Sequence, residues 1–324
     1  MSGKRSKQTT RKGRFEVLVA APMSAGKSSF INALIGDELL HVANEATTAC
    51  LTRVEHRKGV NSFRGACYRD SGDVLATQRN ASADVLRDWN SDARVKRIEL
   101  KGSFNVIPRP DSGLVVYDTP GPNNSQNEQH GEAMREAVQH IPFDALCYVL
   151  NAGQFGTVDD RACLDVLRDG LSKGAVQQTY FVLNKVDLLD PENGEDVGEL
   201  VGRAQDYLID AGFEQPIVIP TIADAALYAR KALNQSGMTR LQRTKLKRMI
   251  DEFGDRKRAL INVTSAPEMI KKRLLRELDG LEQRSTAIAS DESRTEENEL
   301  KQLITFSGLR TVEMLIERQR QMAE

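Results

Sequence analysis

The stretch from residue 15 to residue 36, FEVLVAAPMSAGKSSFINALIG, constrains this chain more than any other. Its opening residues, apolar except for Glu16, read as a strand. A run of small residues then closes on Gly26-Lys27-Ser28. Phe30, Ile31, Leu34 and Ile35 recur at helical spacing until Gly36 stops the helix. Strand, tight loop and helix N-terminus in that order make a phosphate cradle. Backbone N–H groups point at the phosphates, a lysine spans their outer oxygens, and a hydroxyl holds Mg²⁺. Met23, Ser24, Ala25, Gly26 and Ser29 are assigned to the cradle, Lys27 to the outer oxygens and Ser28 to the metal. The pattern GxxxxGK[ST] departs at its first position, where Ala21 stands. A positive φ at Ala21 would cost about 1–2 kcal/mol.

A chain of 324 residues can bury a large core and hold one big domain or two modest ones. Lys plus Arg is 45 against 46 for Asp plus Glu, so no global charge draws the chain to nucleic acid. The charge is uneven, however. Residues 1–14 carry Lys4, Arg5, Lys7, Arg11, Lys12 and Arg14 without an acid and read as a disordered basic tail, suited to solubility or to an anionic partner. Cys50, Cys67, Cys147 and Cys163 are widely spaced with no C-x-x-C pair, which argues against structural zinc and a disulfide framework. No apolar run reaches 18 residues and the N-terminus lacks a signal-peptide core. The expectation is a cytoplasmic protein, with any membrane contact peripheral.

Three further segments complete the chemistry. Thr48, 21 residues after Lys27 and just before a strand-like run from Cys50 to His56, is placed to ligate Mg²⁺ and sense the γ-phosphate; Thr47 and Thr52 are the neighbouring candidates. The buried strand 113–117 runs into Asp118-Thr119-Pro120-Gly121, where the carboxylate would hold Mg²⁺ through water and the Gly121 amide would follow the γ-phosphate. The polar segment after it suits a stretch ordered by triphosphate, and Pro122 removes any water-orienting glutamine there. Strand 178–183 then leads to Asn184-Lys185-Val186-Asp187. A carboxylate at the fourth position accepts from both N1–H and N2–H₂ of guanine, which adenine cannot match. Lys185 would pack its stem along the base. After a short strand at 216–220, Ile222 and Ala223 fall where a loop caps the guanine, with only their backbone able to meet it.

These repeats predict an α/β fold, a P-loop GTPase domain with a mainly parallel central sheet binding nucleotide at its carboxyl edge, plus a C-terminal helical segment. Residues 64–107 read as two strands around a polar helix near 83–89, with Trp89 structural. Helices are expected at 159–171 and 197–211. A capping box at Ser265-Ala-Pro-Glu268 would open another, and 295–319 forms one with a break near Ser307-Gly308. The boundaries expected are a tail at 1–14, a nucleotide domain at 15–235 and a helical extension at 236–324.

Together APMSAGKSS, TTACLTRV, DTPGPN and NKVD resemble the dynamin superfamily, in particular bacterial dynamin-like GTPases and the branch that binds the replication clamp. The resemblance covers residues 15 to about 235. It implies GTP hydrolysis after two G domains pair face to face. It also implies that Ser24 helps position the attacking water and that Thr48 acts through its backbone. Met23 departs from the glutamine common next to that serine. The roughly 90 residues after the head are too few for the family's long stalk, which suggests an isolated head, a truncated chain or a short variant.

The cofactors expected are GTP or GDP and Mg²⁺, and the partners a guanine nucleotide and a second copy through the G domain. A peripheral membrane or protein partner stays open. Direct nucleic-acid binding is disfavoured, since no KH-type module is present. The alternative is a slow GTP-loaded switch that recruits a protein partner without mechanical membrane work.

Overall fold

The computed structural model describes residues 13–41, 50–60, 62–106, 113–120, 127–171, 178–253, 256–287 and 292–323. The first strand, β1 (Phe15–Ala20), is buried along its whole length, as a strand covered on both faces must be. Helix α1 (Lys27–Ile35) follows it and ends on Gly36, whose φ of 80° lets its N–H close on the Asn32 carbonyl at 2.8 Å. Then come β2 (Leu51–His56), β3 (Arg64–Tyr68), β4 (Val74–Gln78), α2 (Ala83–Ser91), β5 (Arg97–Gly102) and β6 (Leu114–Asp118). The second half alternates α3 (Asn127–His140), β7 (Ala145–Asn151), α4 (Val158–Gly170), β8 (Gln178–Asn184), α5 (Val197–Asp210) and β9 (Ile217–Thr221). The helices α6 (Ala223–Leu233), α7 (Arg240–Phe253), α8 (Ala259–Val263), α9 (Glu268–Ala287), α10 (Glu292–Phe306) and α11 (Leu309–Ala323) finish the chain.

The nine strands form one sheet in the order β4-β3-β5-β2-β6-β1-β7-β8-β9. Pairing is parallel except at β2 with β6 and at β3 with β4 and β5, so the sheet is mainly parallel as the motif order predicts. The register matters for function. Val19 lies beside Asp118, Ala20 beside Tyr148, Asn151 beside Asn184, and Asn184 beside Thr221. The motifs that follow β1, β6, β8 and β9 therefore leave the sheet at one carboxyl edge.

Side chains alternate between faces, so the in-register pairs Tyr148–Phe181 and Cys147–Tyr180 point in opposite directions. Tyr148 donates to Asp160 of α4 at 2.7 Å, whereas Tyr180 donates to Gln319 of α11 at 2.8 Å. Helices α4 and α11 thus cover opposite faces. Helix α11 also buries Leu309, Val312, Met314 and Leu315, so the C-terminal helices complete the core that holds the sheet.

Three local expectations change. The stretch 64–107 contains three strands, because Gly72 (φ 87°) turns β3 directly into β4. Residues from Asn127 are helical. Ser265 does not cap α9: its hydroxyl accepts from the Val218 N–H at 2.6 Å and so ties the chain to β9. The break near Ser307-Gly308 is real, since Gly308 (φ 79°) separates α10 from α11. Trp89, half-buried, packs over Gly65.

Candidate functional site

The phosphate loop leaves β1 and enters α1 through Gly26, which takes φ 88° and caps the helix without a side chain. A Cβ at Gly26 would overlap Asn184 Nδ2. The left-handed backbone in this loop falls on Ser24 (φ 60°) and Gly26, and Ala21, fully buried, is not among the positive-φ residues. The missing first glycine therefore carries no strain here. The first turn of α1 buries Lys27 and Ser28, while Ser24 is exposed and Met23 and Ser29 are half-buried.

Lys27 Nζ donates to Asp118, which sits at the tip of β6 with 1% of its surface exposed. Thr119 fixes that tip by donating to the Val19 carbonyl at 3.0 Å. Opposite Asp118 on β2 is Thr52, fully buried. Cys50, just before β2, offers no thiolate. Burial, with the Asp118 charge adding to it, pushes its thiol up to about 12.

The segment after β8 is bonded directly to the loop. Asn184 Nδ2 donates to the Ala25 carbonyl at 3.1 Å, and Lys185 Nζ donates to the Ser24 carbonyl at 2.8 Å. Lys185 itself adopts φ 68°, a strained conformation for a side-chain-bearing residue. Asp187, half-buried two residues on, has its carboxyl raised above the ordinary aspartate value. Burial is the main cause, and Asp224 adds to it against the backbone N–H and the nearby Lys245 and Lys185.

Ile222 and Ala223 are placed differently from expectation. The Ile222 N–H donates to the Ser307 carbonyl at 2.8 Å, and the Ala223 N–H to Asn184 Oδ1 at 3.1 Å. Both amides are engaged within the protein and both residues are buried, so in this structure they brace the loop after β9. One residue escaped the sequence reading. Asn151, at the end of β7, donates to the same Ser24 carbonyl at 3.3 Å and accepts from the Gly153 N–H at 3.1 Å. Its only sequence signal is a polar residue ending an otherwise apolar strand. Thr48 and Gly121 lie outside the described residues. Among the described residues no group of three His, Cys, Asp or Glu could hold a metal by itself, and no helix is long and apolar enough to cross a membrane.

The family model described as the Dynamin family matches residues 17–186, a little more than half of the chain and the span from β1 through Asn184-Lys185. The chain belongs to the dynamin family. Among dynamin relatives it is 26% identical over 199 residues to the "Bacterial dynamin-like protein" of Nostoc punctiforme, covering 58% of this chain and 28% of that one. It is 24% identical over 195 residues to "Dynamin-like protein A" of Bacillus subtilis, covering 59% and 15% respectively. The chain thus spans less than a third of the length of these relatives. A solved bacterial dynamin, described as an oligomerised pair that senses and tethers membranes at long range, superposes with a TM-score of 0.47 at 20% identity. That superposition covers 96% of this chain and 48% of the other. The dynamin match stops one residue short of Asp187 and leaves α5 to α11 outside it.

Proposed function

We propose that this dynamin-family chain binds guanine nucleotide and hydrolyses GTP to GDP and phosphate with Mg²⁺. The observation that carries the reading is that Asn184 and Lys185 bond to the carbonyls of Ala25 and Ser24. The segment that would recognise a base and the loop that would hold phosphates are therefore one continuous site. In it the Gly26–Ser29 amides and Lys27 grip the phosphates, and Asp187 accepts from the guanine edge. Ser24, by the family resemblance, helps orient the attacking water.

A Mg²⁺ ion at a nucleotide site needs one or two protein oxygens besides the phosphates. Ser28 in the first turn of α1 and the buried carboxylate of Asp118 fit that requirement, with Thr48 the third candidate. The ion would neutralise phosphate charge; Lys27 would exchange Asp118 for the phosphate oxygens as nucleotide enters. Residues 15–235 would form the nucleotide domain and 236–324 a helical extension folded onto it. Two copies would pair across the nucleotide. A peripheral membrane contact rests on the family resemblance and the basic residues of 1–14, and vesicle co-sedimentation lost on deleting them would support it.

The test is GTP hydrolysis measured across a protein dilution series, with ATP as competitor. Turnover that rises with protein concentration and ignores ATP supports the pairing enzyme. The second reading, a slow GTP-loaded switch, is favoured by Pro122 and Met23 standing where water-orienting glutamines are found. A slow rate independent of concentration would select it. Equal affinity for ATP and GTP would overturn both.

A further inference from the structure

The row of residues that crosses the sheet at Asp118 has Val19 of β1 on one side and Thr52 of β2 on the other, each in register with it. Directly opposed residues of neighbouring strands project to the same face, so Thr52 stands beside the carboxylate that pairs with Lys27. Thr52 is completely buried, and among the described residues its hydroxyl has no hydrogen-bond partner. A hydroxyl left unbonded in the interior destabilises the state that holds it, and a valine would fill the same space without that loss. Its presence points to a second state in which the hydroxyl is bonded.

Two other polar side chains near Asp118 are already engaged. Thr119 donates to the Val19 carbonyl at 3.0 Å, and Cys50, two residues before Thr52, donates to Asn90 Oδ1 at 3.0 Å. Val19 and Val54, fully buried on the same face, bring no donor. Asp118 is held by Lys27, and on the proposed function that lysine turns to the phosphate oxygens when nucleotide enters. The carboxylate then loses a charged donor at a place where water scarcely reaches it. The hydroxyl of Thr52 is placed to replace that donor. Opposed Cβ atoms lie about 4.5–5.5 Å apart, and a change of side-chain rotamer carries the hydroxyl toward the carboxylate.

We propose that Thr52 is a positioning residue for Asp118: its Oγ1–H donates to the carboxylate once Lys27 has moved to the phosphates, and keeps the oxygens aimed at the Mg²⁺ site shared with Ser28. This inference rests on the proposed guanine-nucleotide reading. The hydroxyl is closed off from solvent, so it acts through Asp118 and not as a ligand of the ion. It stands unbonded without nucleotide and bonded with it, and that difference favours the loaded state.

The test compares Thr52→Val, which keeps the branched shape and removes the hydroxyl, with Thr52→Ser, which keeps the hydroxyl. In urea denaturation of the full chain without nucleotide or Mg²⁺, Thr52→Val should be at least as stable as the parent, because an unbonded group is lost. In the Lys27→Ala background, where Asp118 has lost its lysine, Thr52→Val should lower the folding equilibrium constant at least about tenfold, the scale of a hydrogen bond to a charged group. Thr52→Ser should retain most of it. Titration of a fluorescent non-hydrolysable GTP analogue across Mg²⁺ concentrations should show Thr52→Val needing at least about tenfold more Mg²⁺, with affinity in EDTA unchanged. Thr52→Ser should again stay near the parent. The same effect of Thr52→Val with and without Lys27, or an unchanged Mg²⁺ requirement, would overturn the positioning role and leave the nucleotide reading standing. A parent chain whose analogue binding ignores Mg²⁺ would overturn both.

Discussion

Lys27, at the start of α1, and Asp118, at the tip of β6, form a buried ion pair across 91 residues of sequence. Removing one member of such a pair leaves the other charge in a poorly solvated site, at a cost of about 3–5 kcal/mol. Lys27→Ala should therefore lower thermal stability as well as abolish nucleotide binding. Adding Asp118→Asn removes the stranded charge. The double variant should regain much of the lost stability while still failing to bind GTP. Melting curves and fluorescent-GTP titrations on the three variants check this, and a Lys27→Ala protein as stable as the parent would contradict the pairing.

The phosphate loop separates two glycine positions that the pattern treats alike. Gly26 holds φ 88° against Asn184, so Gly26→Ala combines a left-handed backbone penalty of about 1–2 kcal/mol with an overlap at Asn184 Nδ2. Guanine-nucleotide affinity should fall at least tenfold, by about 1.4 kcal/mol or more. Ala21→Gly should give no gain, because Ala21 is not among the positive-φ residues and is already buried. Equilibrium GDP binding by both variants decides the matter; tighter binding by Ala21→Gly would show that the absent glycine does carry strain.

Legibility followed locality. The positions of Lys27, Asp118 and Asp187 in the fold could be read because each lies at or just after the end of a buried strand, and the strand register then fixes where they emerge. The Gly308 break could be read for the same local reason, a left-handed residue between apolar runs. What escaped depended on partners distant in sequence. Ser265 carries the signature of a helix cap, but β9 stands within reach and takes its hydroxyl. Ile222 and Ala223 fall at the right distance after β9, yet Ser307 and Asn184 claim their N–H groups. Asn151 matters only because β7 runs beside β1 and ends next to the loop that leaves it, which no spacing along the chain reveals.

On the proposed function, Asp187 links base recognition to pH. Its carboxyl must be ionised to accept from guanine N1–H and N2–H₂, and burial raises its pKa in the folded protein. As pH falls through that raised value the acceptor is protonated, so GDP affinity should begin to weaken at a pH above the ordinary aspartate value of about 3.9 and level off at higher pH. Asp187→Asn should lose this dependence. It should also lose GTP affinity by a factor of about 100 or more while gaining xanthosine triphosphate, whose O2 can accept from the new amide. Nucleotide titrations from about pH 4 to pH 8 test both statements; a pH profile shared by parent and variant would assign the effect elsewhere.

Gly308 ties the C-terminal helices to β9 and the loop that follows it. Its φ of 79° favours glycine, and a Cβ there would overlap the Pro220 carbonyl of β9. The adjacent Ser307 carbonyl accepts the Ile222 N–H at 2.8 Å, one residue before Ala223 bonds Asn184. Gly308→Ala must push α11 away from β9 or break that hydrogen bond. Either way it uncovers residues such as Leu309 and Val312, which are fully buried. The variant should unfold at lower temperature by the equivalent of about 2–4 kcal/mol, combining backbone strain with lost packing. Its GDP affinity should fall too, although Gly308 contacts no nucleotide, because Asn184 loses the brace behind it. Gly280→Ala, in the middle of α9 with open space around its Cβ, is the matched control and should be neutral or stabilising. If Gly308→Ala melted lower yet bound GDP with parental affinity, the helices would support only the core and the link through Ser307 to the base-side loop would be refuted.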